Sequence, residues 1–137
     1  MHTMKEVCQE VGLPYETLKF YCNQGLVPYV KRDKNNRRIF SNHDVAWIKS
    51  LVCLKNCDMS IVEMRTYLDM CLEGPASIPA RKVMLAKKQA ELKEKLVSLQ
   101  EAIAYIDWKQ QFYDDVQSGK IEYISNLVPA KDEKEVG

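Results

Sequence analysis

Leucine and isoleucine recur through residues 81–113 at steps of three, four or seven: Leu85, Leu92, Leu96, Leu99, Ile103 and Ile106, closing on Tyr113. The run has no Gly or Pro and is rich in Ala, Leu, Lys, Glu and Gln. The spacing is a heptad seam, with Leu92, Leu99 and Ile106 at d positions and Leu96 and Ile103 at a positions. A helix of that length reaches roughly 50 Å at 1.5 Å per residue. A stripe only two residues in seven wide suits a partner helix better than a globular core. The alternative is a long helix folded back on its own domain. Gln89 and Gln110 occupy two further a positions, where a polar side chain costs stability and helps fix register. An antiparallel pair would set Leu96 near the partner's Ile106, Leu99 near the partner's Ile103 and Gln89 near the partner's Tyr113.

Shorter patterns precede the seam. Thr3 and Glu6 form a capping box ahead of Met4, Val7, Cys8 and Val11, an amphipathic helix that Gly12 can end. Pro14 suits the start of a second helix, from Tyr15 to about Asn23, which Gly25 stops. Two short helices with a tight turn make a helix-turn-helix candidate. Leu18 and Tyr21 or Cys22 can face inward, leaving Tyr15, Glu16, Lys19 and Phe20 outward. Base edges and phosphates need that mixture of aromatic, polar and cationic groups. Residues 26–30 and 38–40 are β-prone pieces around 31–37. Asn35 and Asn36 sit at the centre, where Asn tolerates the positive φ of a tight hairpin. The result is a small wing with cations at its tip.

Ser41 and Asp44 form a second capping box, opening a helix through Val45, Ile48, Leu51 and Val52 to about Asn56. Ser60 and Glu63 open another, through Met64, Tyr67 and Leu68 to Cys71 and Leu72. Gly74 and Pro75 then interrupt the chain. After a turn at Ser118, Gly119 and Lys120, the apolar Ile121, Tyr123, Ile124, Leu127 and Val128 predict a short helix or tail packed on the partner. Residues 129–137 are charged and expected to fray. The expected organisation is a winged helix-turn-helix DNA-binding domain over 1–72, a linker over 73–79, a coiled-coil dimerisation helix over 80–117, and a short helix and tail over 118–137. The fold class is mainly α.

Charge sharpens this picture. Residues 1–60 carry a net +3 and residues 61–137 a net −2, while residues 31–38 alone hold five cations and one anion. A patch that dense is a footprint for polyanions, although a solvated loop has the same composition. No apolar run approaches the roughly 18 residues of a membrane span, and no signal-peptide core precedes the first helix, so a cytoplasmic location is expected. Five cysteines, Cys8, Cys22, Cys53, Cys57 and Cys71, form no CxxC pair and read as thiols of a reducing compartment. With two histidines and no Ser/His/Asp set, P-loop or carboxylate pair, an enzyme is not expected.

Together these parts resemble the MerR-type transcriptional regulators. The resemblance runs through Thr3–Val7, Val11–Pro14, Thr17–Tyr21, Gly25–Pro28, Asn35–Ser41, Asp44-Val45, Ile48 and Ser60–Met64, in unbroken order. The family's Thr-Leu-Arg-Tyr-Tyr stands here as Thr17-Leu18-Lys19-Phe20-Tyr21, and its Asn-Gly-Tyr-Arg-Leu-Tyr wing as Asn35 through Phe40. Lys19 keeps the charge of the family's Arg without its bidentate fork. Phe20 lacks a hydroxyl, and Arg37 adds a cation. The resemblance implies a homodimer with an antiparallel coiled coil on double-stranded promoter DNA. It also implies that an effector makes the dimer distort that DNA so that RNA polymerase can use it. DNA-facing residues are then Tyr15, Thr17, Lys19, Phe20, Tyr21, Lys31, Arg37 and Arg38. The dimer seam is Leu85, Leu92, Leu96, Leu99, Ile103, Ile106 and Tyr113.

Metal-sensing members place cysteines beyond the coiled coil, but no Cys or His occurs after residue 71 here, so no metal and no cofactor is expected. The stretch from Val45 to Leu54, with Gly74 and Ala80-Arg81-Lys82, resembles the aldehyde- and electrophile-responsive (AdhR/NmlR-like) subgroup, implying a stress-response regulator sensing through Cys53. Lys49, one turn before Cys53, favours a thiolate, whereas the C-terminal half of a helix disfavours it. A free Cys is otherwise most often a small buried hydrophobe. Cys8 and Cys22 read as core positions, and Cys71 as a weaker second candidate. The competing function is a coiled-coil adaptor whose basic hairpin binds an acidic protein.

Overall fold

The computed structural model describes residues 1–129 and places them in three short strands, five α-helices and one 3-10 turn. The order is β1 (His2–Thr3), α1 (Met4–Val11), α2 (Tyr15–Asn23), β2 (Lys31–Arg32), β3 (Arg38–Phe40), α3 (Asn42–Asn56), α4 (Ile61–Glu73), the turn Pro75–Ser77 and α5 (Ile78–Gln117). The chain divides into two compact units, Met1–Leu92 and Lys93–Gly137.

All three capping boxes form. Thr3, Ser41 and Ser60 each accept from the backbone N–H three residues on, and Glu6, Asp44 and Glu63 each accept from the cap residue's own N–H. Gly12 ends α1 in the left-handed region at φ +75°, as an αL cap requires. The sheet has the order β1-β3-β2, both pairs antiparallel, with His2 opposite Phe40 and Lys31 opposite Ile39. β1 was not expected from the sequence. His2, expected at a fraying end, lies in that strand and contacts Asn42 Oδ1 through Nε2 at 2.7 Å.

The wing's first strand also differs from expectation, forming at Lys31–Arg32 and not over 26–30. Leu26 and Val27 are buried in the core instead. The Trp47 indole holds that segment by donating to the Leu26 carbonyl at 2.7 Å. Around them pack Val7, Leu18, Phe40, Ile48, Leu51 and Met64, each almost fully buried. These side chains come from α1, α2, β3, α3 and α4, so one core fixes the helix-turn-helix and the wing together.

The start of α5 is anchored within the first unit. Lys88, 9% exposed, reaches Glu63 and Glu91 at 2.9 Å each. Helix α5 begins at Ile78, two residues before the expected 80. In the second unit the seam residues Leu96, Leu99, Ile103, Ile106 and Tyr113 are exposed. Residues 118–129 contain no helix, so the expected short terminal helix is absent among the described residues. The apolar residues there are exposed, and residues 130–137 of the expected tail lie outside the described residues. No helix among the described residues is long and apolar enough to cross a membrane.

Candidate nucleic-acid interface

Helix α2 starts without a side-chain cap; the Pro14 carbonyl accepts from Thr17 and Leu18 at 3.1 and 3.2 Å. Helical periodicity then divides its residues. Leu18 is fully buried, whereas Tyr15 and Phe20 are 52% and 45% exposed, with Glu16 and Lys19 exposed beside them. Thr17 is half-buried. Tyr21 departs from the expected DNA-facing set. It is 3% exposed, and burial pushes its hydroxyl above the ordinary tyrosine range. At three residues from Leu18 it falls on the same, inward face. Its aromatic ring therefore serves the core.

The wing is organised by Asp33. Its Oδ1 accepts from the backbone N–H of Asn35 at 2.9 Å and of Arg37 at 3.0 Å. The backbone closes the same turn, Asp33 N–H donating to Arg37 O at 2.8 Å and Asn36 N–H to Asp33 O at 2.9 Å. Asn36 takes φ +60°, the conformation its side chain tolerates. One carboxylate thus folds a tip crowded with like charges. The signal was in the sequence, since Asp ahead of Asn-Asn is an Asx-turn pattern.

The cations do not all point one way. Arg32, Asn36, Arg37 and Arg38 line a groove with Lys5 and Tyr15, between the wing and the N-terminal ends of α1 and α2. Arg32 also donates to the Asn36 carbonyl at 2.8 Å, and Arg38 to Asn23 Oδ1 at 2.6 Å. Lys31 lies instead against a separate cavity with Tyr29, His43 and Trp47. Lys31 and Arg32 are successive strand residues, whose side chains alternate between the two faces. The structure brings Tyr15, Arg37 and Arg38 together, adds Lys5 and Arg32, and leaves Lys31 apart. Arg32 was missed because the sequence pattern set the wing's first strand at 26–30, whereas the strand forms at Lys31–Arg32.

All five cysteines are free thiols. Cys53 is exposed on α3, while Cys8 and Cys22 are half-buried, and burial pushes both of their thiols up. Lys49, expected to support Cys53, pairs with Glu10 of α1 at 3.2 Å, so its charge is shared with a carboxylate. Cys57 is the C-cap of α3.

Comparison with known proteins places this geometry. Residues 2–71 match the profile of the MerR HTH family regulatory proteins. An HTH-type transcriptional regulator of Haemophilus influenzae is 26% identical over 117 residues, covering 85% of this chain and 87% of that protein. The HTH-type transcriptional regulator AdhR of Bacillus subtilis is 34% identical over 89 residues, covering 65% of this chain and 64% of that protein. Among solved structures, HiNmlR, a MerR family regulator lacking the sensor domain and bound to promoter DNA, superposes with a TM-score of 0.75 at 26% identity, over 85% of this chain and 89% of that one. A Listeria monocytogenes structure described as a MerR family transcriptional regulator reaches 0.72 at 28% identity, over 99% and 96%.

Proposed function

The chain belongs to the MerR family of HTH regulatory proteins, and on that premise we propose that it is a dimeric, effector-responsive regulator that binds and distorts promoter DNA. The observation that carries the reading is the tie between Arg38 and Asn23, which joins the wing to the helix presenting Tyr15, Lys19 and Phe20. Positioned phosphate contacts set register on a duplex, and groups on an adjoining helix read base edges. The likeness to a regulator bound to promoter DNA supports the same use of this surface.

Two copies are needed to read a palindrome, and the exposed seam of α5 supplies the means of pairing them. The effector is a reactive aldehyde or other electrophile, and Cys53 is the exposed thiol on α3 that meets it. Once bound, the dimer alters promoter shape so that RNA polymerase engages it, with deformation energy as the controlled quantity.

Fluorescence anisotropy with the upstream DNA of the protein's own gene tests the first part. Binding should exceed that to a scrambled duplex by about a thousandfold at physiological salt. Equal binding to both duplexes at moderate salt would instead favour a coiled-coil adaptor with an acidic partner. For the sensing step, Cys53→Ser should bind the operator normally and fail to activate transcription with an aldehyde. Full induction of that variant would remove Cys53 from the mechanism.

A further inference from the structure

A half-open cavity of about 650 Å³ lies in the first unit between β2, the start of α3 and the last turns of α4. Small-molecule sites commonly fall between about 300 and 1,000 Å³ and join apolar walls to a few polar groups. This cavity has both. Tyr29, Trp47, Leu68 and Leu72 provide aromatic and aliphatic surface, and Lys31 and His43 provide polar atoms. The thiol of Cys71 also lines it.

Cys71 stands where the cavity meets the joint between α4 and α5. On the same helix, Tyr67 lies one turn before Cys71 and is half-buried beside the core. Beside them the end of α4 is held by a compact set of polar contacts. Ser77 Oγ donates to the carbonyl of Met70 and, at 2.9 Å, to that of Gly74. The Arg81 guanidinium donates to Ser77 Oγ at 2.9 Å and to the Gly74 carbonyl at 2.7 Å. A group added at Cys71 would therefore sit one residue from a carbonyl that this set secures.

We propose that the cavity binds an apolar, ring-bearing α,β-unsaturated carbonyl compound and that Cys71 captures it. The ring packs against Trp47 and Tyr29 with its reactive double bond toward the sulfur. The Cys71 thiol loses its proton to solvent, and a sulfur lone pair forms a bond to the β-carbon of the compound. The carbon–carbon π pair moves to the enolate, which takes a proton from water at the α-carbon. The net change is addition of S–H across the double bond, with no oxidant or reductant. Any effect on transcription rests on the reading of the protein as an effector-responsive regulator; capture depends on the cavity alone. Cys53 remains open to small electrophiles, and the cavity adds a preference for larger apolar ones.

Peptide mapping by mass spectrometry tests the proposal on the full chain, without DNA, after brief exposure to cinnamaldehyde or, in parallel, to acrolein. Cys71 should react with cinnamaldehyde about tenfold faster than Cys53 does, the preference that partial burial of a ring confers. Acrolein, which has no ring, should not show that preference. Leu72→Trp, which fills the cavity from a half-exposed position, should slow cinnamaldehyde at Cys71 without slowing it at Cys53; circular dichroism confirms the variant is folded. Equal rates at the two thiols, or no change in Leu72→Trp, would overturn the proposal. Anisotropy of an untreated sample on promoter DNA reports the regulatory reading separately, so either reading can fail while the other stands.

Discussion

The Nη2 of Arg38 donates to Oδ1 of Asn23 at 2.6 Å, joining a wing cation to the last turn of helix α2. A charge-assisted bond of this kind contributes roughly 1.5–3 kcal/mol when sheltered and less at an exposed site such as this. Its larger value is geometric, because it fixes two DNA-reading elements against each other. Asn23 carries no charge, so Asn23→Ala should weaken DNA binding while leaving its dependence on salt unchanged. Lys19→Ala and Arg37→Ala should instead each lower the log–log salt slope by about one, the signature of a lost phosphate contact. Arg38→Ala should do both. Anisotropy titrations over a range of salt concentrations separate these outcomes, and an unchanged slope in Lys19→Ala or Arg37→Ala would take that residue out of the interface.

Asp33 makes the wing turn possible, and its neighbour Asn36 makes it tolerable. Asp33→Ala removes the acceptor of two backbone N–H groups in a tip of mutually repelling cations. DNA affinity should fall, while core stability moves by less than about 1 kcal/mol because the turn is solvent-exposed. At Asn36 the controlling variable is φ. Asn36→Gly should therefore bind DNA as the parent does. Asn36→Val, β-branched at a positive φ, should cost about 1–3 kcal/mol locally and bind poorly. Equal affinity of the two variants would show that the turn does not depend on this conformation.

These local devices divide what could be read in the sequence from what could not. The capping boxes were legible because each is complete within four residues, and Gly12 and Asn36 because positive φ restricts residue choice. Leu26 and Val27 misled, since β-prone apolar residues fit a core as well as a strand. The pairing of His2 with Phe40 joins two-residue stretches far apart in sequence, which no local pattern encodes. Tyr21 was ambiguous for a different reason: a tyrosine suits both a groove and a core, and only the position of Leu18 decides between them. Lys88 was hidden because the heptad seam marks the partner-facing stripe, whereas Lys88 belongs to the stripe that meets α4. The cavity beside Cys71 needs three elements to be placed before it exists.

Glu63 carries a pH dependence whose sign follows from its contacts. The Ser60 backbone N–H, followed by the Lys88 ammonium, holds its carboxyl below the ordinary 4.5. A lowered folded-state value means that the contribution is present in full above about pH 4.5 and is lost as pH falls through the lower folded value. Thermal melts should show Glu63→Gln less stable than the parent at neutral pH, with the difference shrinking on acidification below pH 4.5. Glu6, lowered chiefly by the Thr3 backbone N–H, should behave in the same sense. A gap that stays constant from pH 7 to pH 3 would assign the effect of Glu63→Gln to packing alone.

The register of the proposed dimer can be tested at single residues. Leu96, Leu99, Ile103 and Ile106 are between 52% and 61% exposed in the single chain. Fully burying such a side chain contributes about 1.5–3 kcal/mol, so the seam as a whole favours pairing strongly. Layers of Leu96 on the partner's Ile106 and Leu99 on the partner's Ile103 centre the two-fold axis beside residue 101. Gln100 and Ala102 then flank that axis at e and g positions, each close to its own symmetry mate. In a background with the five native cysteines replaced, Gln100→Cys or Ala102→Cys should oxidise to a covalent dimer. Gln89→Cys should not, because its antiparallel neighbour is Tyr113 and disulfide geometry allows only about 4.4–6.8 Å between Cα atoms. A parallel pair would bring Gln89 onto its own copy and cross-link it readily. Leu99→Lys supplies the control: a charge at a central d position should yield a monomer by sedimentation and abolish binding to a palindromic site. A Leu99→Lys protein that remains dimeric would show that some other surface holds the two copies together.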